Sequence, residues 1–203
     1  MSSLPNNLIE DSELWDREPD LVSLRQAHAL LKSNPGKAIT DLQRLAEQGS
    51  VMSMVYVGAA YRRGAGVPRN DSEAEQWFRR ASTGGSIFAS HELGKILLER
   101  QEYQDAALLF VRCAALNYSP SLYRLAVLSM NGDGVEKDLL KSRQLLEQAS
   151  AQGSVIAKRA LGIALIKGHL GKREVVRGIR IFASALKTIE EAFKDPFSDK
   201  LRT

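Results

Sequence analysis

The chain has 203 residues, of which 44% are hydrophobic and 26% are charged, so it can fold around a continuous core. Its net charge of +4 is too small for a general nucleic-acid binder, and its single cysteine excludes an intramolecular disulfide framework. One cysteine also favours a reducing compartment, and the absence of a long apolar run argues against a membrane span, so we expect a cytoplasmic protein.

The amino-terminal segment is acidic and has neither a basic start nor an apolar stretch, so we expect that it is not a secretory signal. Its first twenty residues contain six carboxylates and only one cation, Arg17. This composition predicts that residues 1–17 form a flexible tail. A second flexible tail is predicted for residues 192–203, which leaves residues 18–191 as a single domain.

Four similar segments recur through that domain, starting at Gly49, Gly85, Asn117 and Gly153. The intervals between them are 36, 32 and 36 residues. Each segment has a small residue at its fourth and ninth positions after the start and an apolar residue at the eighth. This spacing places the three on one face of a helix, where small side chains let a neighbouring helix approach closely. The Gly or Asn at each start is placed to end the preceding helix.

A break and a second helix follow each segment. In two copies the break is a glycine loop, GAGV at 64–67 and GDGV at 132–135, and Asn70 and Asp138 are placed to cap the helix that follows. The copy that starts at Gly85 lacks this loop, which accounts for the shorter interval. The same template extends upstream of Gly49. The pattern therefore predicts an all-α fold of about five helix-turn-helix repeats that bury their apolar faces by stacking.

The glycine loops do not predict a nucleotide site, because Arg69 and Lys137 stand where a dinucleotide fingerprint needs its third glycine and no strand precedes the loops. The NGDG segment at 131–134 lacks the closing glutamate of a calcium loop. The three histidines form neither a zinc motif nor a triad. Trp77 and Cys113 occupy positions that the repeat assigns to the core. We therefore predict no catalytic residue, no metal and no cofactor.

The repeat resembles the Sel-one-like (Sel1-like) repeat family, SLR, a relative of the tetratricopeptide repeats. The family's pattern is carried here by Val57-Gly58, the GAGV loop, Asn70, Ala74 and Trp77-Phe78. The resemblance covers about 170 residues. It implies a right-handed α-solenoid, a superhelix of repeats that acts as a non-catalytic adaptor. Because the cysteines of the family's secreted, disulfide-bridged branch are missing here, export does not carry over.

The resemblance also implies where a partner binds, since the first helix of each pair lines the concave groove of tetratricopeptide solenoids. The positions that the core leaves free can then carry recognition. At the sixth position after each start lie Val55, His91, Tyr123 and Arg159. The residues predicted to bind a partner are Tyr56, Arg62, His91, Lys95, Tyr123, Arg124 and Arg159. Arginine grips carboxylates bidentately, so the expected partner is an acidic protein or peptide segment.

A basic carboxyl-terminal repeat supports an alternative function. Residues 154–180 carry a net charge of +6, which could bind nucleic acid or another anionic surface. A terminal repeat also needs a polar outer face, so the same charges fit a solvated cap. The segment lacks the interleaved aromatic residues that single-strand binding favours, and nucleic acid is the less expected partner.

Overall fold

The computed structural model describes residues 12–194, and the regular elements in this range are all α-helices. In chain order they are α1 (Ser12–Trp15), α2 (Leu21–Leu30), α3 (Pro35–Glu47), α4 (Val51–Arg63), α5 (Asp71–Thr83), α6 (Ile87–Glu99), α7 (Tyr103–Ala115), α8 (Ser119–Asn131), α9 (Leu139–Ala151), α10 (Val155–Lys167) and α11 (Val175–Lys194). The predicted all-α repeat fold is confirmed. The helices divide into two compact units, with the boundary between Arg100 and Gln101.

In the first unit, α2 to α6 stack in chain order, so that each helix packs against the one that follows it. The largest fully buried side chains of this unit include Leu42, Val57 and Phe78. Gly58 of α4 lies under the ring of Phe78. A β-carbon on Gly58 would stand 3.0 Å from the nearest ring atoms of Phe78. The small residue that the repeat pattern predicted therefore sits where two helices meet.

In the second unit, α7 to α11 stack in the same manner. One buried cluster joins α8, α9 and α10 through Leu122, Leu146, Leu161 and Leu165. Cys113 of α7 is buried, as predicted from its place in the repeat.

Local signals in the sequence explain where the helices begin and end. The side chain of Asn70 accepts hydrogen bonds from the backbone N–H groups of Ser72 and Glu73 (both 3.1 Å), and Asp138 accepts one from Lys141 (2.8 Å). Both predicted caps are thus confirmed. The predicted helix ends are confirmed by positive φ angles at four positions: Gly49, Gly85, Asn117 and Gly153.

The glycine loops bring each repeat against the one before it. Gly66 and Gly134 have φ angles of +78° and +70°, which favour glycine. A β-carbon on Gly66 would stand 2.7 Å from the backbone of Pro35, at the start of α3. One on Gly134 would overlap the carbonyl group of Tyr103, at the start of α7. The second glycine of each loop is therefore required by backbone conformation and by space.

The predicted tail boundaries are too wide at both ends. Residues 12–15 form α1, Leu14 is buried, and Glu18 accepts a hydrogen bond from the backbone N–H of Met52 at 2.9 Å. Glu18 thus accepts from one amide group at the start of α4, where a negative charge is favourable. At the other end α11 continues to Lys194. The remaining parts of the two tails, residues 1–11 and 195–203, lie outside the described residues.

Candidate partner-binding surface

Two of the predicted partner-binding residues lack an accessible side chain. Tyr56 is 3% exposed and His91 is 6% exposed. The expectation that they present their side chains to a partner is therefore wrong. Burial also raises the pKa of Tyr56 above its ordinary value, with the negative charge of Glu18 adding to the effect. A helix that is apolar on every side is buried on every side, and α4 has no charged residue before Arg62. The absence of a polar face on α4 is the feature of the sequence that could have predicted the burial of Tyr56.

Arg62 lies at the carboxyl end of α4 and is occupied by two acidic residues of its own unit. Its guanidinium forms an ion pair with Asp71 of α5 at 2.8 Å and a second one with Glu99 of α6. Arg69 joins the network through two hydrogen bonds to Asp71 (3.2 and 2.9 Å). Hydrogen bonds from Arg69 and Arg62 lower the pKa of Asp71 to about 2. Arg62 thus links α4, α5 and α6. Its positive charge is neutralised by Asp71 and Glu99 and is not available to a partner.

Lys95 of α6 is half-buried and is also paired within its own helix. Its ammonium group lies 2.8 and 2.9 Å from the two carboxylate oxygens of Glu92, three residues earlier. A pair at this spacing is neutral as a whole. Lys95 therefore offers a partner a dipolar patch instead of a net positive charge.

The second unit holds the accessible part of the predicted set. Tyr123 and Arg124 of α8 are half-buried, and the guanidinium of Arg124 lies 5.7 Å from the centre of the Tyr123 ring. Arg159 of α10 is exposed and makes no ion pair with any residue in the range 12–194. An aromatic ring, a stacked arginine and an unpaired arginine are the side chains that dominate protein interfaces.

The burial of the predicted row changes along the chain. Val55 and His91 are buried, Tyr123 is partly buried against the α8–α10 cluster, and Arg159 is exposed. The position at which Tyr123 lies therefore faces the following repeat at least in part. Sequence spacing alone does not show how much of this position the neighbouring repeat covers.

The basic carboxyl-terminal repeat is only partly neutralised by ion pairs. Arg143 of α9 and Arg177 of α11 share Glu147 and Glu174 in a network with distances of 2.6 to 3.2 Å. The guanidinium of Arg173 donates a hydrogen bond to the backbone carbonyl of Ile166 at 3.0 Å. Several further cations of this repeat are without an ion pair to a described residue: Arg159, Lys167, Lys172 and Arg180.

The structure adds two observations on sites of other kinds. Among residues 12–194, no group of three or more acidic, histidine or cysteine side chains is arranged to hold a metal ion. In the same range, no helix combines the length and the apolar character that crossing a membrane requires.

Comparison with known families places two repeats in this chain. The model of the Sel1 repeat matches residues 51–86 and 119–154, which are the α4–α5 and α8–α9 pairs with their glycine loops. The repeat that lacks the loop and the terminal repeats lie outside the two matches.

Solved structures of similar fold cover most of the chain. One is a protective antigen present in uropathogenic Escherichia coli strains that displays an SLR fold. It superposes with a TM-score of 0.79 at 25% identity, over 87% of this chain and 40% of its own. Another is a Sel1 repeat protein from Oxalobacter formigenes, with a TM-score of 0.73 at 19% identity over 96% and 93% of the two chains. These matches confirm the α-solenoid class.

Two F-box proteins of Arabidopsis thaliana are similar in sequence. One is 32% identical over 116 residues, and the other is 33% identical over 105 residues. The aligned parts make up 55% and 50% of this chain, but 31% of each relative. The chain thus matches about a third of the length of these relatives.

Proposed function

Because this chain contains Sel1 repeats, which generally mediate protein–protein interactions, we propose that it is a non-catalytic scaffold that binds an acidic protein or peptide segment. The proposed site lies in the second unit, on α8 and α10. It consists of Tyr123, Arg124 and Arg159. Arg62 and Lys95 of the first unit are left out of this site, because their charges are already paired with acidic neighbours.

The stacked pair of Tyr123 and Arg124 is the observation that carries this proposal. A guanidinium held at 5.7 Å from an aromatic ring is oriented before a partner arrives, which lowers the entropy cost of binding. Both side chains are half-buried and therefore have a rigid base with an accessible edge. Such a pair accepts a carboxylate on the guanidinium and an apolar side chain against the ring.

The experiment is affinity purification from native extract with the full chain as bait, followed by mass spectrometry. We expect the double variant Arg124→Glu with Arg159→Glu to lose the captured partner. Arg159 is exposed, so its reversal should change the free energy of unfolding by no more than ~0.5 kcal/mol. Arg124 is half-buried, so urea denaturation checks that the double variant still folds.

The control is Lys141→Glu on α9, a charge reversal at an exposed position outside the proposed site. It should retain the partner. If Lys141→Glu and the double variant lose capture to the same extent, net charge governs binding and the proposed site is wrong. If captured material is nucleic acid that is released by moderate salt, the anionic-surface function replaces the scaffold function.

A further inference from the structure

The second helix of each repeat carries a bulky apolar residue at an equivalent position. In α5 and α9 this residue is covered by the repeat that follows. In α5 this position is Phe78, which is 1% exposed and meets Phe88 of α6 edge to face at 6.5 Å between ring centres. In α9 it is Leu146, which is 1% exposed and belongs to one cluster with Leu161 and Leu165 of α10. In both units the first helix of the next repeat thus completes the burial.

Phe182 occupies the equivalent position in α11 but is only half-buried. It packs on Gly162 of the preceding helix, with its β-carbon 2.9 Å from the place of a β-carbon on that glycine. On its open side Phe182 lines an apolar pocket of about 190 Å³ together with Ile163, Ile166 and Lys167 of α10. Within residues 12–194 no further helix follows to cover it.

The open side of α11 continues as an apolar stripe. Ile179 is 55% exposed and Leu186 is 48% exposed, and they lie three residues before and four residues after Phe182. Val175 and Phe193 extend the stripe with heptad spacing, and both are exposed. Residues at such intervals share one face of a helix. This stripe and Ile163 of α10 are called the end face below.

The rim of the end face is positively charged. Arg159 and Lys167 lie on α10 four residues before and after Ile163, and Lys172 follows in the loop to α11. None of the three makes an ion pair with a residue of the described range. Glu190 is the carboxylate nearest to Leu186 along α11, and it is paired with Lys194 at 2.5 Å. A second copy of this chain would bring the same cations to the same rim, which is unfavourable.

We infer that the end face is a second docking surface, which takes an amphipathic helix of a partner protein with acidic residues beside its apolar stripe. The helix would lie where the first helix of a further repeat would lie. Its apolar residues would cover Phe182, Ile179 and Leu186, and its carboxylates would meet Arg159, Lys167 and Lys172. This surface shares Arg159 with the proposed Tyr123–Arg124 site, but its apolar part lies on α11 and can be tested separately.

Two synthetic peptides test the inference directly. Both are based on residues 154–167, because α10 is the helix that covers the equivalent position Leu146. The acidic peptide carries Lys158→Glu, Arg159→Glu and Lys167→Glu, and the basic peptide keeps the natural sequence. We expect the labelled acidic peptide to bind the full chain at least tenfold more tightly than the basic peptide in fluorescence anisotropy at 0.1 M salt. Equal affinities, or no binding of the acidic peptide, would overturn the inference.

Variants of the full chain locate the binding. Ile179→Glu with Leu186→Glu should weaken the acidic peptide at least tenfold, and both side chains are exposed enough for the fold to tolerate the change. Leu140→Glu on α9 is the matched control, because Leu140 is an equally exposed apolar residue outside the end face. It should alter the affinity by less than twofold. Equal losses in the control and the double variant would show non-specific adsorption and reject the end face.

The same chain and peptides also test two other possible occupants of the end face, a second copy of the chain and the chain's own residues 195–203. If the wild-type chain sediments as a dimer and Ile179→Glu makes it a monomer, a second copy is the occupant and the inference is wrong. If Phe197→Glu in the full chain raises the affinity for the acidic peptide tenfold or more, the chain's own residues 195–203 cover the end face, which also overturns it. Because Arg159 belongs to both surfaces, loss of extract capture in Arg124→Glu with Arg159→Glu does not separate them. The effect of Ile179→Glu with Leu186→Glu on peptide binding is the separate criterion for the end face.

Discussion

Gly162 lies so close to α11 that a β-carbon on it would stand 2.9 Å from the backbone nitrogen of Phe182. The carbonyl oxygen of Gly178 would be equally near, at 2.9 Å. Backbone atoms cannot move aside as the end of a flexible side chain can, so the two helices can approach only over a glycine.

The first prediction concerns Gly162→Ala. Helix propensity alone would stabilise the variant by ~1 kcal/mol, because alanine is the better helix former. Overpacking against backbone costs ~1–3 kcal/mol and should reverse the sign. We expect a lower urea midpoint with an unchanged slope. Gly36→Ala on α3 is the control, since its β-carbon would meet only the carbonyl oxygen of Gly66 at 3.8 Å. It should be neutral or slightly stabilising, and a gain of stability in both variants would contradict the packing argument.

The second prediction concerns the cap of α9. Asp138→Ala should lower the free energy of unfolding by ~1 kcal/mol, because the backbone N–H of Lys141 loses the acceptor that now lies at 2.8 Å. Asp138→Asn keeps an oxygen in the same place and should retain most of the stability. The comparison is made by urea denaturation. Equal losses in the two variants would mean that the charge of Asp138, and not its cap, supplies the stabilisation.

The spacing of the repeats predicted most of the fold, because certain residues within each repeat have a strict structural role. Gly58, Asn70 and Asp138 each meet a local requirement, a close approach or a helix start, that few residue types satisfy. Such requirements leave a periodic trace in the sequence. The segment that contains α1 and Glu18 left no such trace in the sequence. It is held by one buried apolar side chain, that of Leu14, and by one hydrogen bond from α4 to Glu18.

The partner-binding surface was less predictable than the fold. Tyr56 and His91 are buried although their positions are free of the repeat's small-residue constraint. Whether such a position is open depends on the neighbouring repeats, which the spacing within one repeat does not encode. The same reason explains why Phe182, at the position that Phe78 and Leu146 hold in the core, is only half-buried in α11.

The third prediction concerns the two glycines of the GDGV loop. Gly132 ends α8 with a φ of +87°, and a β-carbon on it would contact Lys137 without overlap, at 3.3 Å from the β-carbon and 3.8 Å from the backbone of that residue. Gly132→Ala should therefore cost ~1–2 kcal/mol from the left-handed conformation alone. Gly134→Ala adds an overlap with the carbonyl group of Tyr103 to a similar strain and should cost clearly more. Thermal unfolding of both variants measures the difference. Equal melting temperatures would show that the loop moves away from α7 without cost.

The last prediction concerns Asp71 and acid. Hydrogen bonds from Arg69 and then Arg62 lower its pKa to about 2, below the ordinary 3.8. A carboxyl group with a lowered pKa in the folded state stabilises the protein above pH 3.8, and this contribution is lost as the pH falls towards 2. The difference in free energy of unfolding between the wild type and Asp71→Asn should thus be largest above pH 5 and shrink between pH ~4 and ~2.

Carboxyl ¹³C NMR titration gives the matching direct measurement. Arg69→Gln should raise the pKa of Asp71 towards 3.8, and by more than Arg62→Gln does, because the Arg69 hydrogen bond is the larger cause. Added salt should raise it as well, since Asp71 and Arg69 are both solvent-accessible and their interaction is screened. A pKa near 3.8 in the wild type would contradict the network. An unchanged value in Arg69→Gln would instead assign the shift to Arg62, and with it the tie between α4 and α5.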